Sequence, residues 1–373
     1  MMSKALPSLA FIIVITVLFF SCKKNDLITS HDASVYFSTD SLKFDTVFTS
    51  VGSVTHSFKI FNNNDGRLKL DRVKLMGGST SAYRTNINGA ATDELQDVEI
   101  DAKDSIYVFV TVTIDPNAAQ IPFIVSDSIL VEYNGNNKYV QLEAFGKNAR
   151  FLRAETLSQN TTFDNSLPYV ILDGLRVDTG VSLTILPGTE LYFHANSPLI
   201  VDGTLDAEGT VSNRVLFTGD RLDEYYRDLP GSWPGIFFRG SSEGNHLQFC
   251  NIINAYQGIV ASGASSSSLP KVRIDQCEIR NIYDAGIYLL ATSADISNTL
   301  VANCGSNVLI KQGGVYSFTH CTFASYSTFN MFRTEPVVSV YNYNDGDGIR
   351  MTGDLNATFT NCIICFMETV VSN

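Results

Sequence analysis

Between Lys23 and Phe249 this chain of 373 residues contains no cysteine. That keeps disulfides and thiolate metal sites out of most of its length. Tryptophan occurs once and histidine only five times, with the histidines scattered. Basic residues are short: 26 Lys and Arg face 38 Asp and Glu, a formal charge of −12. The acid is dispersed, which describes a solvated surface and opposes a nucleic-acid or anionic-membrane role. The apolar run Leu9 to Phe20 is shorter than the roughly 20 residues a spanning helix needs. No segment of helical period competes with strand alternation over residues 33–146. What is present instead is alternation, turn residues and a repeat.

The N-terminus reads as a targeting segment. Lys4 precedes the apolar run, and Leu18-Phe19-Phe20-Ser21-Cys22 follows it. A run of that length suits a signal peptide. Leu18 to Cys22 resembles a bacterial lipobox. The resemblance implies that residues 1–21 are removed, that Cys22 is acylated, and that residues 22–32 form a lipidated tether. Removal would take Lys4 and no acid, leaving 25 basic against 38 acidic side chains. In Cys22-Lys23-Lys24-Asn25-Asp26 no Asp directly follows the Cys. By analogy with such lipoproteins this implies an outer-membrane anchor, and the expected orientation is toward the cell surface.

Residues 33–148 alternate in short runs, such as Thr55-His56-Ser57-Phe58-Lys59-Ile60 and Ser105-Ile106-Tyr107-Val108-Phe109-Val110. Turns such as Asn62-Asn63-Asn64-Asp65-Gly66 and Asn134-Gly135-Asn136-Asn137 separate them. This spacing predicts a β-sandwich. Phe44-Asp45-Thr46-Val47, Phe58 to Asn63, Thr113-Ile114-Asp115-Pro116 and Leu142 to Gly146 resemble immunoglobulin-like modules of the ASPM/SPD-2/Hydin type. Asp40-Ser41, Asp45-Thr46, Asp104-Ser105 and Asp127-Ser128, each followed by an apolar residue, resemble O-glycan acceptors of exported Bacteroidetes proteins. Ser41, Thr46, Ser105 and Ser128 are the candidate sites. The competing reading is that Asp-Ser opens strands.

From residue 149 to 373 a repeat takes over. An apolar residue, a variable one, usually Asn, Gln or His, and then Cys or Thr recur, with another apolar residue two positions on. Ile274 to Ile279, Ile296 to Val301, Phe318 to Phe323 and Phe359 to Ile364 show it, and Leu247 to Ile252 is a degenerate copy. The Cys/Thr positions 250, 277, 299, 321 and 362 are 27, 22, 22 and 41 apart. A beat near 22 with strand alternation predicts a right-handed parallel β-helix of about ten coils. Equal phase points the cysteines inward, as buried thiols. Gly and Asn at positions such as 254, 281 and 303 serve left-handed corners. Leu183 to Thr189, Val201 to Thr210 and Gly231 to Phe238 resemble coils of pectin-lyase-like proteins exported by Bacteroidetes. In those coils the Trp-x-Gly-Ile segment is structural, so Trp233 is expected to pack.

Function is then expected in the excursions from the repeat. Tyr225, Tyr226, Arg227 and Asp228 form one candidate glycan contact, and Tyr343, Asp345, Asp347 and Arg350 another, because Tyr stacks and Asp and Arg hydrogen-bond sugars. Asp275, Asp284 and Asp295, with Arg239, Arg273, Arg280 and Arg350, do not align convincingly in one phase, and His194 and His246 read as isolated. No catalytic residue, metal ligand or cofactor is assigned. The expectation is a non-enzymatic binding, display or structural module of the cell envelope, its partners a membrane, glycans or surface proteins. The alternative is a polysaccharide lyase or glycoside hydrolase. A cluster of acids and bases in an outer groove would favour the alternative.

Overall fold

The computed structural model of the chain describes residues 27–48, 55–113, 123–222, 228–265, 268–326, 335–346 and 349–367. Residues 1–21, Cys22 and the tether as far as Asp26 lie outside them. The chain divides into two compact units, one closing at Gly146 and the other opening at Lys147. Both are all-β. Among the described residues no helix is long and apolar enough to cross a membrane.

The first unit is an immunoglobulin-like sandwich. One sheet has the order Leu27–Ile28, Arg67–Leu75, Phe123–Tyr133, Asn136–Lys147, Ser41–Phe48, and Glu94–Ile100 also pairs with Arg67–Leu75. The other has the order Val35–Phe37, His56–Asn62, Ser105–Val112, Tyr83–Ile87, Ala90–Ala91. Alternation places the core. Ser105–Val112 buries Ile106, Val108, Val110 and Val112 and turns Tyr107 and Phe109 outward. Each buried aliphatic side chain contributes about 1.5–3 kcal/mol of transfer free energy. The Asn-rich turn after His56–Asn62 is closed by buried Asn62, whose amide donates to the carbonyls of Gly66 and Ile100.

The second unit is a parallel β-helix. Its strands stack in register on three walls, each with an inward apolar file. One file runs Phe163, Ile185, Ala207, Leu247, Ile274, Ile296, Phe318, Phe359. A second runs Tyr169, Leu191, Phe217, Ile252, Ile279, Val301, Phe323, Ile364. A third runs Leu175, Leu199, Ile236, Ile259, Ile287, Val308, Val338. Among the described residues the second wall stacks nine strands, because Arg150–Leu157 precedes Tyr169–Val177 on it, against the ten or so coils that a uniform 22-residue beat predicts. The coils from Ala207 to Leu247 and from Phe318 to Phe359 consume 40 and 41 residues, so insertions absorb the difference.

The repeat acquires a physical cause here. The residue before each Cys or Thr is Phe249, Gln276, Asn298, His320 or Asn361, and all five have φ between 48° and 55°. Each is a left-handed corner, where amide-bearing side chains are tolerated best. The next side chain repairs the ladder that the corner interrupts. Cys250 N–H donates to Cys277 Sγ at 3.3 Å, and Cys277 N–H to Thr299 Oγ1 at 3.3 Å. Each Sγ or Oγ in turn donates to the carbonyl two residues back: Cys250 to Gln248, Cys277 to Asp275, Thr299 to Ser297. Asn254, Asn281 and Asn303 form a second line of left-handed corners, and Asn281 Nδ2 donates to Asn254 Oδ1 at 2.6 Å. Trp233 is fully buried, stacked on Phe193 at 4.3 Å, with its indole N–H on the Ile253 carbonyl.

Candidate functional site

The outward residues of the first wall carry the chemistry. In one file Thr184, Asp206, His246, Arg273, Asp295, Ser317 and Thr358 stand side by side. Two residues along, Glu208, Gln248, Asp275, Ser297, Thr319 and Thr360 form a parallel file. Arg273 and Asp295 therefore share a phase, and Asp275 sits in the adjacent file. His246 is not isolated: its Nδ1 lies 3.6 Å from Asp206 and 3.5 Å from Glu208. The neighbours of His246 correct the sequence reading, in which alignment across the insertion between Asp206 and His246 could not be counted, while Asp275 and Asp295 stand in different files, as expected.

Environment separates the two aspartates. Burial, and then the neighbouring Glu208 charge, push the Asp206 carboxyl above its ordinary range. Burial acts the same way on Asp275, but hydrogen bonds from Ser297, Asn298 and Gln248 outweigh it and hold that carboxyl below its usual value. The Asp206, Glu208, His246 and Arg273 side chains line a groove of about 410 Å³, walled on one side by Leu269 and Pro270. Across the same two residues lies a groove of about 570 Å³ lined by Thr292, Asp295, Gln312 and Asp354. The excursion between Ser262 and Pro270 thus borders both. Thr292 is 4% exposed, and its hydroxyl has no partner among the described residues.

A third depression, of about 430 Å³, lies near the strand Tyr343–Gly346. Tyr341, Tyr343 and Asp345 line it with Asp284, Lys311 and Ser339. The two tyrosine rings meet edge to face at 5.5 Å. Ser339 is 6% exposed, and its hydroxyl also lacks a partner among the described residues. Arg350, on the paired strand Ile349–Thr352, lays its guanidinium 4.2 Å over the Tyr343 ring and makes two hydrogen bonds to Asp345, at 2.7 and 2.8 Å. Those bonds are the first cause of a carboxyl held below its ordinary range. Arg350 therefore holds Tyr343 and Asp345, two of the lining residues, and is not itself among those that line the depression.

The other expected contacts are placed differently. Asp228 is exposed, and its backbone carbonyl accepts from Asn281. Tyr225, Tyr226, Arg227, Asp347 and the side chain of Thr46 lie outside the described residues. Ser41 and Ser105 open strands, Ser105 with its N–H on the Asp104 carboxylate. Ser128 sits mid-strand opposite Gln141, its N–H on the Asp127 carboxylate. His194 is not isolated either: its Nδ1 makes a 2.7 Å hydrogen bond with the Asp220 carboxyl group, which is only 6% exposed.

No protein-family model and no curated protein matches the chain. Among solved structures, parts of it resemble a family 123 glycoside hydrolase from Clostridium perfringens, at 10% identity, 29% of this chain, 23% of that one and a TM-score of 0.22. A PapD-like domain of human CEP192 gives 9% identity, 32% and 89% coverage and 0.21. A protein of unknown function from Porphyromonas gingivalis gives 8%, 34%, 60% and 0.23. The chain spans less than a quarter of that hydrolase, and likenesses this partial carry no argument about function.

Proposed function

We propose that the protein is a cell-envelope lipoprotein, anchored through Cys22 in the outer membrane and facing outward, that binds glycans on its β-helix without cleaving them. The tyrosine pocket carries this reading. The Tyr341 and Tyr343 side chains, Asp345, Asp284, Lys311 and Ser339, with its buried hydroxyl, line one depression. A saccharide offers what such a pocket lacks: C–H faces for the rings and hydroxyls that give and accept hydrogen bonds. The sandwich serves as the spacer, with Ser41, Thr46, Ser105 and Ser128 as its candidate O-glycan acceptors.

The test is a glycan array probed with the full chain in detergent. Binding is expected, and Tyr343→Ala and Ser339→Val should each weaken it. No bound glycan, or unchanged binding by Tyr343→Ala, would overturn the reading. A second reading, cleavage, is favoured by the Asp206–Glu208 pair. Their oxygens approach within 4.8 Å, close to the ~5 Å between the carboxyl groups of retaining glycosidases. Reducing-end and unsaturated-uronate assays on bound glycans decide it: product that disappears in Glu208→Gln would establish cleavage.

A further inference from the structure

The wall groove adds His246 to the Asp206–Glu208 pair, a donor set that glycan binding at the tyrosine pocket does not require. Asp206 and Glu208 are two apart on the strand Thr204–Glu208 and so project from the same face. His246 stands opposite Asp206 on the next coil. One ligand atom from each of the three lies within 4.8 Å of the others. The Nδ1-to-oxygen separations of 3.5 and 3.6 Å are too long for hydrogen bonds. Both lie near the edge of a metal tetrahedron instead, since bonds of about 2.0–2.1 Å to nitrogen and oxygen place neighbouring ligands roughly 3.3–3.4 Å apart; the third separation, between the two carboxylates, is within 4.8 Å.

We infer that Asp206, Glu208 and His246 form a binding site for a divalent transition-metal ion of the zinc type. The imidazole decides the class, because calcium and magnesium take oxygen ligands whereas zinc takes nitrogen and carboxylate together. Electrostatics favours a cation here. In the two files the carboxylates of Asp206, Glu208, Asp275 and Asp295 stand against one arginine, Arg273, besides the ligand His246 itself. The stacked strands hold the ligands on rigid backbone, as a metal site requires. Side-chain exposures of 31% for His246, 40% for Asp206 and 58% for Glu208 leave the site open to the groove. A fourth position remains for water or a ligand oxygen, the open arrangement of three-ligand zinc sites.

The test is calorimetric titration of the full chain in detergent with Zn2+, and separately with Ca2+. The parent should carry Cys362→Ser and Cys365→Ser, because Cys362-Ile363-Ile364-Cys365 is itself a zinc-binding spacing. One equivalent of Zn2+ is expected to bind, more tightly than Ca2+. Loss of a direct ligand, in His246→Ala or Glu208→Gln, should weaken binding at least ~10-fold, the lower bound seen for mere supporting residues. Metal-free melting curves establish that each variant folds, and the exposed Glu208 keeps the test decisive if His246→Ala does not. No stoichiometric Zn2+ binding by the parent, or affinity unchanged in the folded variants, would overturn the inference.

Discussion

The corner-repair role of the repeated Cys and Thr makes a sharp demand at position 277. Cys277 Sγ accepts from the buried Cys250 N–H and donates to the Asp275 carbonyl. Thr occupies the equivalent place at 299 and does both jobs with oxygen. Cys277→Thr should therefore stay within about 1.5 kcal/mol of the parent, the range of well-tolerated core swaps. Cys277→Val has nearly the same shape but no acceptor. It strands the Cys250 N–H in the core, which costs about 1–3 kcal/mol. The Thr and Val variants differ in little else, so the difference between them isolates the hydrogen bonds. Urea denaturation followed by circular dichroism measures it, and amide exchange at Cys250 locates it. If the Val variant is as stable as the Thr variant, or Cys250 stays equally protected, the side chains at this position merely fill space.

Trp233→Ala removes a buried indole and should cost about 3–5 kcal/mol; Trp233→Phe keeps an aromatic ring on Phe193 but loses the hydrogen bond to Ile253 and part of the indole volume, and should cost less, about 1–3 kcal/mol, both read by denaturation. Lys271 is fully buried, with its ammonium on the carbonyls of Arg239, Gly240 and Ser242, so Lys271→Met should destabilise by about 1–3 kcal/mol at pH 7. Burial lowers the Lys271 value below 10.5; the unfolded chain then binds that proton more tightly, and parent stability relative to Lys271→Met should rise with pH between the folded value and 10.5. Asp202, bonded by Arg239 and Arg176 across neighbouring coils, is held below its ordinary 3.8 chiefly by the Arg239 hydrogen bond. Its advantage over Asp202→Asn should be complete above pH 3.8 and vanish as pH falls through the folded value, as acid titration of both would show. Alkylation under native conditions should mark exposed Cys365 first and spare Cys250, Cys277, Cys304 and Cys321: burial raises the Cys250 thiol well above its ordinary value and the Cys321 thiol to about 11, leaving little thiolate.

The fold was legible because both periods in the sequence are physical ones. Alternation in Ser105–Val112 marks a half-buried strand, and the steps from Cys277 to Thr299 and from Thr299 to Cys321 are single coils with the same register. The meaning of the third motif position was not legible. Asn, Gln and His at 298, 276 and 320 look like polar surface until their φ values show left-handed corners. Residue counting alone locates coils poorly for a related reason, since an insertion is indistinguishable from an extra coil.

The same ambiguity hid Asp206, Glu208 and His246 while leaving Tyr343 and Asp345 in view. A broken beat announces an excursion, and the tyrosines lie in one. Phase, by contrast, must be carried across every insertion between two coils. Asp206 and His246 are neighbours in space but 40 residues apart in the chain, and no multiple of 22 relates them. Yet the division of labour that results is physically sensible. Wall positions about 4.8 Å apart on a hydrogen-bonded sheet hold charged groups in fixed relation, whereas loops tolerate change and build sides. Leu269 and Pro270, at the end of the serine-rich excursion, border the groove of Asp206 and His246 and also the groove of Thr292. Over the wall groove the interruptions of the repeat thus raise the rims and the regular coils beneath them supply the charged side chains, whereas the tyrosine pocket takes its rings from an excursion.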